Sequence, residues 1–116
     1  MIRFKPYNGD MIGLPTDENH INFRWVEPAC KVLFSVSRMG NGASCHFASD
    51  KRGIKKIDKA INEFVSFVFW LFPWCDMIIA KVKLKRVEDI IKPLGFKYLV
   101  SGKGINVYIR SKSWAV

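Results

Sequence analysis

The sequence predicts an α/β fold: a single domain, residues 1–116, with a mixed β-sheet flanked by helices. Three observations carry this. A β-rich hairpin pattern over residues 31–49 precedes a stripe of apolar residues at helical spacing over 54–71. A strand-length apolar run then ends at Val82, and a second helical pattern and a second hairpin close the chain. Strands and helices in this order bury their apolar faces as helix layers on a sheet. At 116 residues, 49% hydrophobic and 25% charged, the chain can build one core, and its length argues against two domains or wholesale disorder.

Each element has its own signal. Residues 2–6 read as a short strand stopped by Pro6. Asn8-Gly9-Asp10 is turn chemistry, and a short helix is expected before Pro15. Residues 16–29 are polar around Phe23 and Trp25 and give no firm assignment. In Lys31–Arg38, a β-rich run, Val32, Phe34 and Val36 alternate with smaller or polar residues, as in a strand. Gly40-Asn41-Gly42 turns the chain into a second strand, Ala43–Ser49. Ile54, Ile57, Ile61, Phe64, Val68 and Leu71 then mark a long helix, capped by Ser49 or Asp50 and ended by Pro73. Asp76–Val82 fits a central strand covered on both faces. Leu84–Leu94 is helical, with Gly95 suited to the C′ position and Pro93 making the last turn irregular. Phe96–Val100 and Ile105–Arg110 are strands around Ser101-Gly102-Lys103-Gly104.

Composition excludes several function classes. Three widely spaced cysteines, Cys30, Cys45 and Cys75, argue against a disulfide framework and fit a reducing cytosol. The two histidines, His20 and His46, form no cluster with zinc-ligand spacing, so no metal site is expected. Cys45 and His46 are neighbours on a strand and point to opposite faces, which excludes a nucleophile–base pair. Phe64–Ala80 is broken by Pro73 and Asp76 and is too short for a spanning helix. No signal-peptide core follows Met1.

The net charge of +9 is uneven. Residues 1–50 are neutral overall, and the whole excess lies in 51–116. Lys51, Arg52, Lys55, Lys56 and Lys59 crowd the start of the long helix, while Lys81, Lys83, Lys85 and Arg86 follow the next strand. Such groups invite an anionic partner: nucleic acid, a phosphorylated cofactor or an acidic surface. A solvated basic face is the ordinary alternative.

The element order, the loop Lys51-Arg52-Gly53-Ile54-Lys55-Lys56 opening the long helix, the segment KVKLKRVEDIIKPLGF (residues 81–96) and the closing strand Val107–Arg110 together resemble the GNAT family of acetyl-CoA-dependent N-acetyltransferases. The likeness covers most of the chain from about residue 30 onward. It implies acyl transfer from acetyl-CoA to an amine. It also implies that Lys51, Arg52, Gly53, Ile54, Lys55 and Lys56 bind the CoA pyrophosphate, helped by a helix N-terminus. The basic groups at 51–59 and 81–86 then face one cleft. The family's loop usually begins with Gln or Arg, where this chain has Asp50; its strand Asn falls near Leu84; and its acid tyrosine corresponds to Ile91, which cannot protonate a thiolate.

His46 and Asp50, on or just after the strand before the long helix, are the base candidates, and Tyr98 or Tyr108 the acid candidates. Their ordinary readings are a strand histidine, a helix cap and sheet-packing aromatics. The chain is also similar to small GNAT-like proteins of short-tailed bacteriophages, some of which act in head assembly. That likeness implies a catalytically inactive protein in the host cytoplasm or virion, with a phage or host protein partner. Trp70, Phe72 and Trp74 would serve such an interface or fill the core. A basic nucleic-acid-binding module, with Lys81 and Lys83 in a phosphate-contacting row, is the third reading.

Overall fold

The computed structural model describes residues 3–114. Its strands are β1 Phe4–Pro6, β2 Ile21–Trp25, β3 Val32–Met39, β4 Gly42–Ser49, β5 Met77–Val82, β6 Lys97–Gly102 and β7 Ile105–Ser111. They form one sheet in the order β1-β2-β3-β4-β5-β7-β6, antiparallel except for the parallel pair β4–β5. Helix α1 spans Ile57–Leu71 after a 3-10 turn at Gly53–Lys56. Helix α2 spans Lys85–Ile91 and tightens into a 3-10 turn at Lys92–Leu94. Gly95 ends it at φ 92°, a left-handed conformation that only glycine adopts freely.

Pairing register assigns the faces. Phe34 lies opposite Phe47, Val36 opposite Cys45, Cys45 beside Ala80, and Ala80 opposite Tyr108, so all share one face. That face carries both helices: Phe64 of α1 stacks on Phe34 with ring centroids 4.0 Å apart, and Tyr108 bonds to Glu88 of α2. The alternate residues, Ser35, His46, Ile79 and Lys81, point to the far face. There the connection from β1 to β2 is anchored by Ser35 Oγ donating to the Pro15 carbonyl at 3.2 Å.

The expected mixed sheet with helices packed on it is present. Its core is the α1 stripe of Ile57, Ile61, Phe64, Val65 and Val68 against the sheet. Phe4, Phe23, Phe34, Phe64 and Phe67 form one aromatic cluster. The 64–80 segment is the end of α1, a turn and β5, and among the described residues no helix is long and apolar enough to cross a membrane.

Several elements differ from expectation. Ile2, expected in the first strand, lies outside the described residues. Residues 7–20 run as turns and bends where a short helix was expected before Pro15. Asp10 Oδ1 accepts the Ile12 amide, and Ile12 and Gly13 both have positive φ, which a right-handed helix excludes. β2 occupies part of the unassigned 16–29 stretch: Phe23 and Trp25 enter the core while Asn22 and Arg24 face away. The regular long helix begins at Ile57 rather than Ile54, and Asp50 caps the preceding 3-10 turn through the Gly53 amide. β5 is central, yet it is tightly covered only on the helix side: Ile78 and Val82 are buried while Met77 and Ile79 are half-exposed. Trp70 is 63% exposed, whereas Phe72 and Trp74 pack on each other, half-buried against the core.

Candidate functional site: a wedge between two parallel strands

The parallel pairing of β4 and β5 runs from Gly42/Met77 to Cys45/Ala80 and stops. β4 continues through His46–Ser49, paired with β3. β5 continues through Lys81 and Val82, paired with β7. The two strands therefore diverge. Alternate peptide groups of each unpaired stretch face the opening instead of a neighbouring strand. The opening is a cleft of about 640 Å³. Its walls are apolar where Phe47, Val82, Val87 and Ile90 line it, and Ile91 lies at its buried end.

The rim is strongly basic. Lys51, Lys81, Lys83 and Arg86 line the cleft against one carboxylate, Asp50. Among the described residues, none of these four cations has an ion-pair partner. Four unpaired cations around an apolar slot suit a ligand with an anionic end and a neutral arm.

Asp50 holds the turn at the rim. Its Oδ1 accepts the Gly53 amide at 2.7 Å, and its Oδ2 accepts the Lys31 amide at 3.1 Å. The Gly53 bond is the largest of the causes that hold its carboxyl below the usual aspartate value. With both oxygens committed, Asp50 is a structural brace rather than a free base. Gly53 is required for a different reason from the expected phosphate approach: an added Cβ would lie 2.8 Å from Val32 Cγ2 and 2.9 Å from the Lys31 carbonyl oxygen. The turn packs against the start of β3, and only glycine fits.

The six expected cofactor residues separate. Lys51 and Ile54 line the cleft. Arg52 faces an adjoining hollow with Arg24, Lys31 and Lys51. Lys55 turns into the groove between the two helices beside Asp58 and Asp89, and Lys56 pairs with Glu27 at 3.3 Å. Lys55 and Lys56 are successive residues of the 3-10 turn, where side chains point about 120° apart, and they leave the cleft in different directions.

His46 lines the cleft from the far face of β4. Burial, then the neighbouring His20 and Lys81, push its pKa down, which keeps the ring neutral and able to take a proton. Tyr98 lies elsewhere. It is 56% exposed on the edge strand β6, its hydroxyl shares a hydrogen bond of 2.7 Å with Ser101, and it is outside the cleft lining. Tyr108 donates to Glu88 at 2.9 Å instead of reaching the cleft. Cys45 points to the helix face, and burial pushes its thiol well above the ordinary value.

Glu88 ties the α2 wall to the sheet, accepting from Asn106 Nδ2 and Tyr108 Oη. These bonds, Asn106's first, hold its carboxyl below the ordinary value of 4.5. A depressed folded pKa means that this stabilisation is present above about pH 4.5 and is lost as pH falls through the lower folded value. Glu88→Gln should therefore flatten the melting temperature between pH 5 and pH 3 relative to the unsubstituted protein. An unchanged pH slope in differential scanning calorimetry would show that α2 is held by other means.

Sequence reasoning had placed Lys81, Lys83 and Arg86 near a shared cleft, but it missed Phe47, Val87 and Leu14 as lining residues. Phe47 lies just past the end of the β4–β5 pairing, whereas Val87 and Leu14 reach the cleft from α2 and from the 7–20 connection.

No protein-family model and no curated protein matches the sequence. Solved structures do match the fold. The N-acetyltransferase PseH of Campylobacter jejuni in complex with acetyl coenzyme A is 9% identical, with TM-score 0.68, covering 84% of this chain and 71% of its own. A chimera of the spermidine N-acetyltransferase SpeG from Vibrio cholerae and hSSAT is 12% identical, with TM-score 0.70, covering 84% and 69%. AAC(6')-Ib, in complex with ribostamycin and coenzyme A, is 11% identical, with TM-score 0.65, covering 82% and 65%. The seven-stranded sheet with its divergent parallel pair is thus the α/β fold of the GNAT acetyltransferases.

Proposed function

We propose that this chain binds acetyl-CoA in the β4–β5 wedge and transfers its acetyl group to an amine. The observation that carries the reading is the wedge itself: an apolar slot with unpaired strand edges and, at its rim, four cations that have no ion-pair partner among the described residues. The lining fits the ligand, with apolar walls for an alkyl arm, free peptide groups for its amides and lysine and arginine side chains for its phosphates. Acetyl-CoA, when bound, supplies an acetyl group on a thiolate leaving group. Lys51, Lys83 and Arg86 would hold the anionic end. Peptide N–H groups of residues 46–49 that face the wedge would stabilise developing oxyanion charge. His46, neutral and at the cleft, takes the proton of the attacking amine.

The test is acetyl transfer to a panel of amines that includes spermidine and ribostamycin, compounds named with two of the structural relatives. His46→Gln is expected to lower kcat about 10²-fold, the lower end of a general-base contribution, with the acetyl-CoA dissociation constant unchanged. Because the base form is the neutral ring, the rate should fall as pH drops through a midpoint below the ordinary histidine value of 6.5. Full activity in His46→Gln would remove His46 from the mechanism.

A second reading keeps the cofactor cleft without catalysis. It is favoured by the lining, which contains no tyrosine: Ile91 sits buried at the position where a proton-donating tyrosine was sought. Acetyl-CoA binding without transfer to any amine would select it. A virion-assembly role rests on sequence likeness alone and draws no support from the structural relatives.

A further inference from the structure

His46 does not stand alone. Its ring lies beside that of His20, with centroids 6.1 Å apart and planes inclined by 50°. His20 in turn meets Asp17, Nδ1 to Oδ1 at 2.8 Å. A carboxylate only accepts, so His20 Nδ1 carries the hydrogen and donates it to Asp17. This bond, first among the causes, holds Asp17 below the usual aspartate value and hence ionised near neutrality.

The array is built into the fold. The 7–20 connection crosses the far face of the sheet and is fixed there by the Ser35–Pro15 bond. Asp17 also accepts the Asn19 amide at 2.9 Å, and the His20 amide donates to the Asp17 carbonyl, which closes a tight turn. The turn delivers His20 to β4. His46 is half-buried at the cleft, the His20 side chain is 15% exposed, and Asp17, 57% exposed, stands at the solvent end. The charged and titratable groups facing His46 are His20 from this connection and Lys81 from β5; across the strand pair it meets Ser35, which does not titrate.

We propose that His20, oriented by Asp17, is a positioning residue for His46: it packs beside the His46 ring and holds it at the mouth of the wedge. The inference rests on the acetyl-transfer reading for its chemical purpose, but the coupling of the two rings stands without it. The proton moves from the attacking amine to a ring nitrogen of His46, whose orientation the neighbouring His20 ring sets. Like charges on two adjacent rings oppose each other, and His20 is among the causes that push His46 down, so the inner ring is kept in its base form.

The decisive variant is His20→Asn. Asparagine keeps a side-chain N–H for Asp17 but carries no titratable ring. Histidine titrations followed by NMR read the coupling on the protein without ligand. The His46 midpoint is expected to move up in His20→Asn, and also in His20→Ala where that variant folds. In acetyl transfer, the acid limb of the rate profile should move up in the same direction. At pH 6, kcat should fall about tenfold with the KM for acetyl-CoA unchanged, as expected when a reacting group loses its orientation. If His20 only shapes the turn, asparagine will restore the original midpoint and profile, and the proposal is wrong. Failure of acetyl-CoA to bind would defeat the functional reading alone; an unchanged His46 midpoint in His20→Asn would defeat this one.

Discussion

Replacing Lys83 and Arg86 together by glutamate is expected to abolish measurable acetyl-CoA binding. Both side chains line the wedge, one just after β5 and one in α2, and neither has an ion-pair partner among the described residues. A charge-assisted bond to phosphate contributes about 1.5–3 kcal/mol, so losing two weakens binding at least about 10²-fold. Reversing their sign adds repulsion. Lys55→Glu is the internal control. It belongs to the basic run at the helix start, yet it faces the groove between the helices, so it should change affinity less than threefold on the scale of screened surface charges. Equal losses from Lys55→Glu and from the double variant would mean that binding follows net charge rather than the wedge.

The second large effect lies in the core. Phe64→Ala should cost about 3–5 kcal/mol, the usual cost of truncating a buried phenylalanine. Phe64 is buried, stacks on Phe34 at 4.0 Å and meets Phe4 edge-on at 5.3 Å. It joins α1 to the centre of the sheet, and its neighbours are other aromatic rings that cannot collapse easily into the space. A domain of this size has about 5–15 kcal/mol in all, so the variant should be near the edge of folding. Urea denaturation gives the difference directly; a loss under about 1 kcal/mol would mean that the cluster repacks.

Much of this fold was readable in the chain because periodicity marks elements that bury one face. The stripe from Ile57 to Val68 and the run into Val82 became the expected helix and strand; the alternation in Val32–Val36 also became a strand, but one buried on both faces. β2 escaped because only Phe23 and Trp25 of its five residues are buried, and Ile21, which should extend the alternation, is exposed. The helix expected before Pro15 fails on local chemistry: the Asp10 side chain captures the Ile12 amide.

The candidate site was legible only in part, for a physical reason. A wedge exists where pairing between β4 and β5 ends, and nothing in residues 42–49 or 77–82 taken separately says that it ends at Cys45 and Ala80. Charge runs marked residues that meet at one cleft: Lys51, Lys81, Lys83 and Arg86 all line it. Direction within the run was not legible, and so Lys55 and Lys56 were expected at a cleft that their side chains turn away from. Asp50 was read both as a base and as a cap, and two backbone amides decide for the cap. Tyr98 was attractive by chemistry and is excluded from the cleft by its place on the edge strand. His20 went unremarked as a partner of His46 because the two are 26 positions apart and meet only when the 7–20 connection folds across the sheet.

The central claim is that the divergence of β4 and β5 makes a cofactor site. Titrating the unsubstituted protein with acetyl-CoA in a calorimeter tests it most directly. The account predicts saturable binding of one molecule per chain, weakening as salt rises because phosphates and cations contribute to it. No heat of binding with millimolar acetyl-CoA would contradict it.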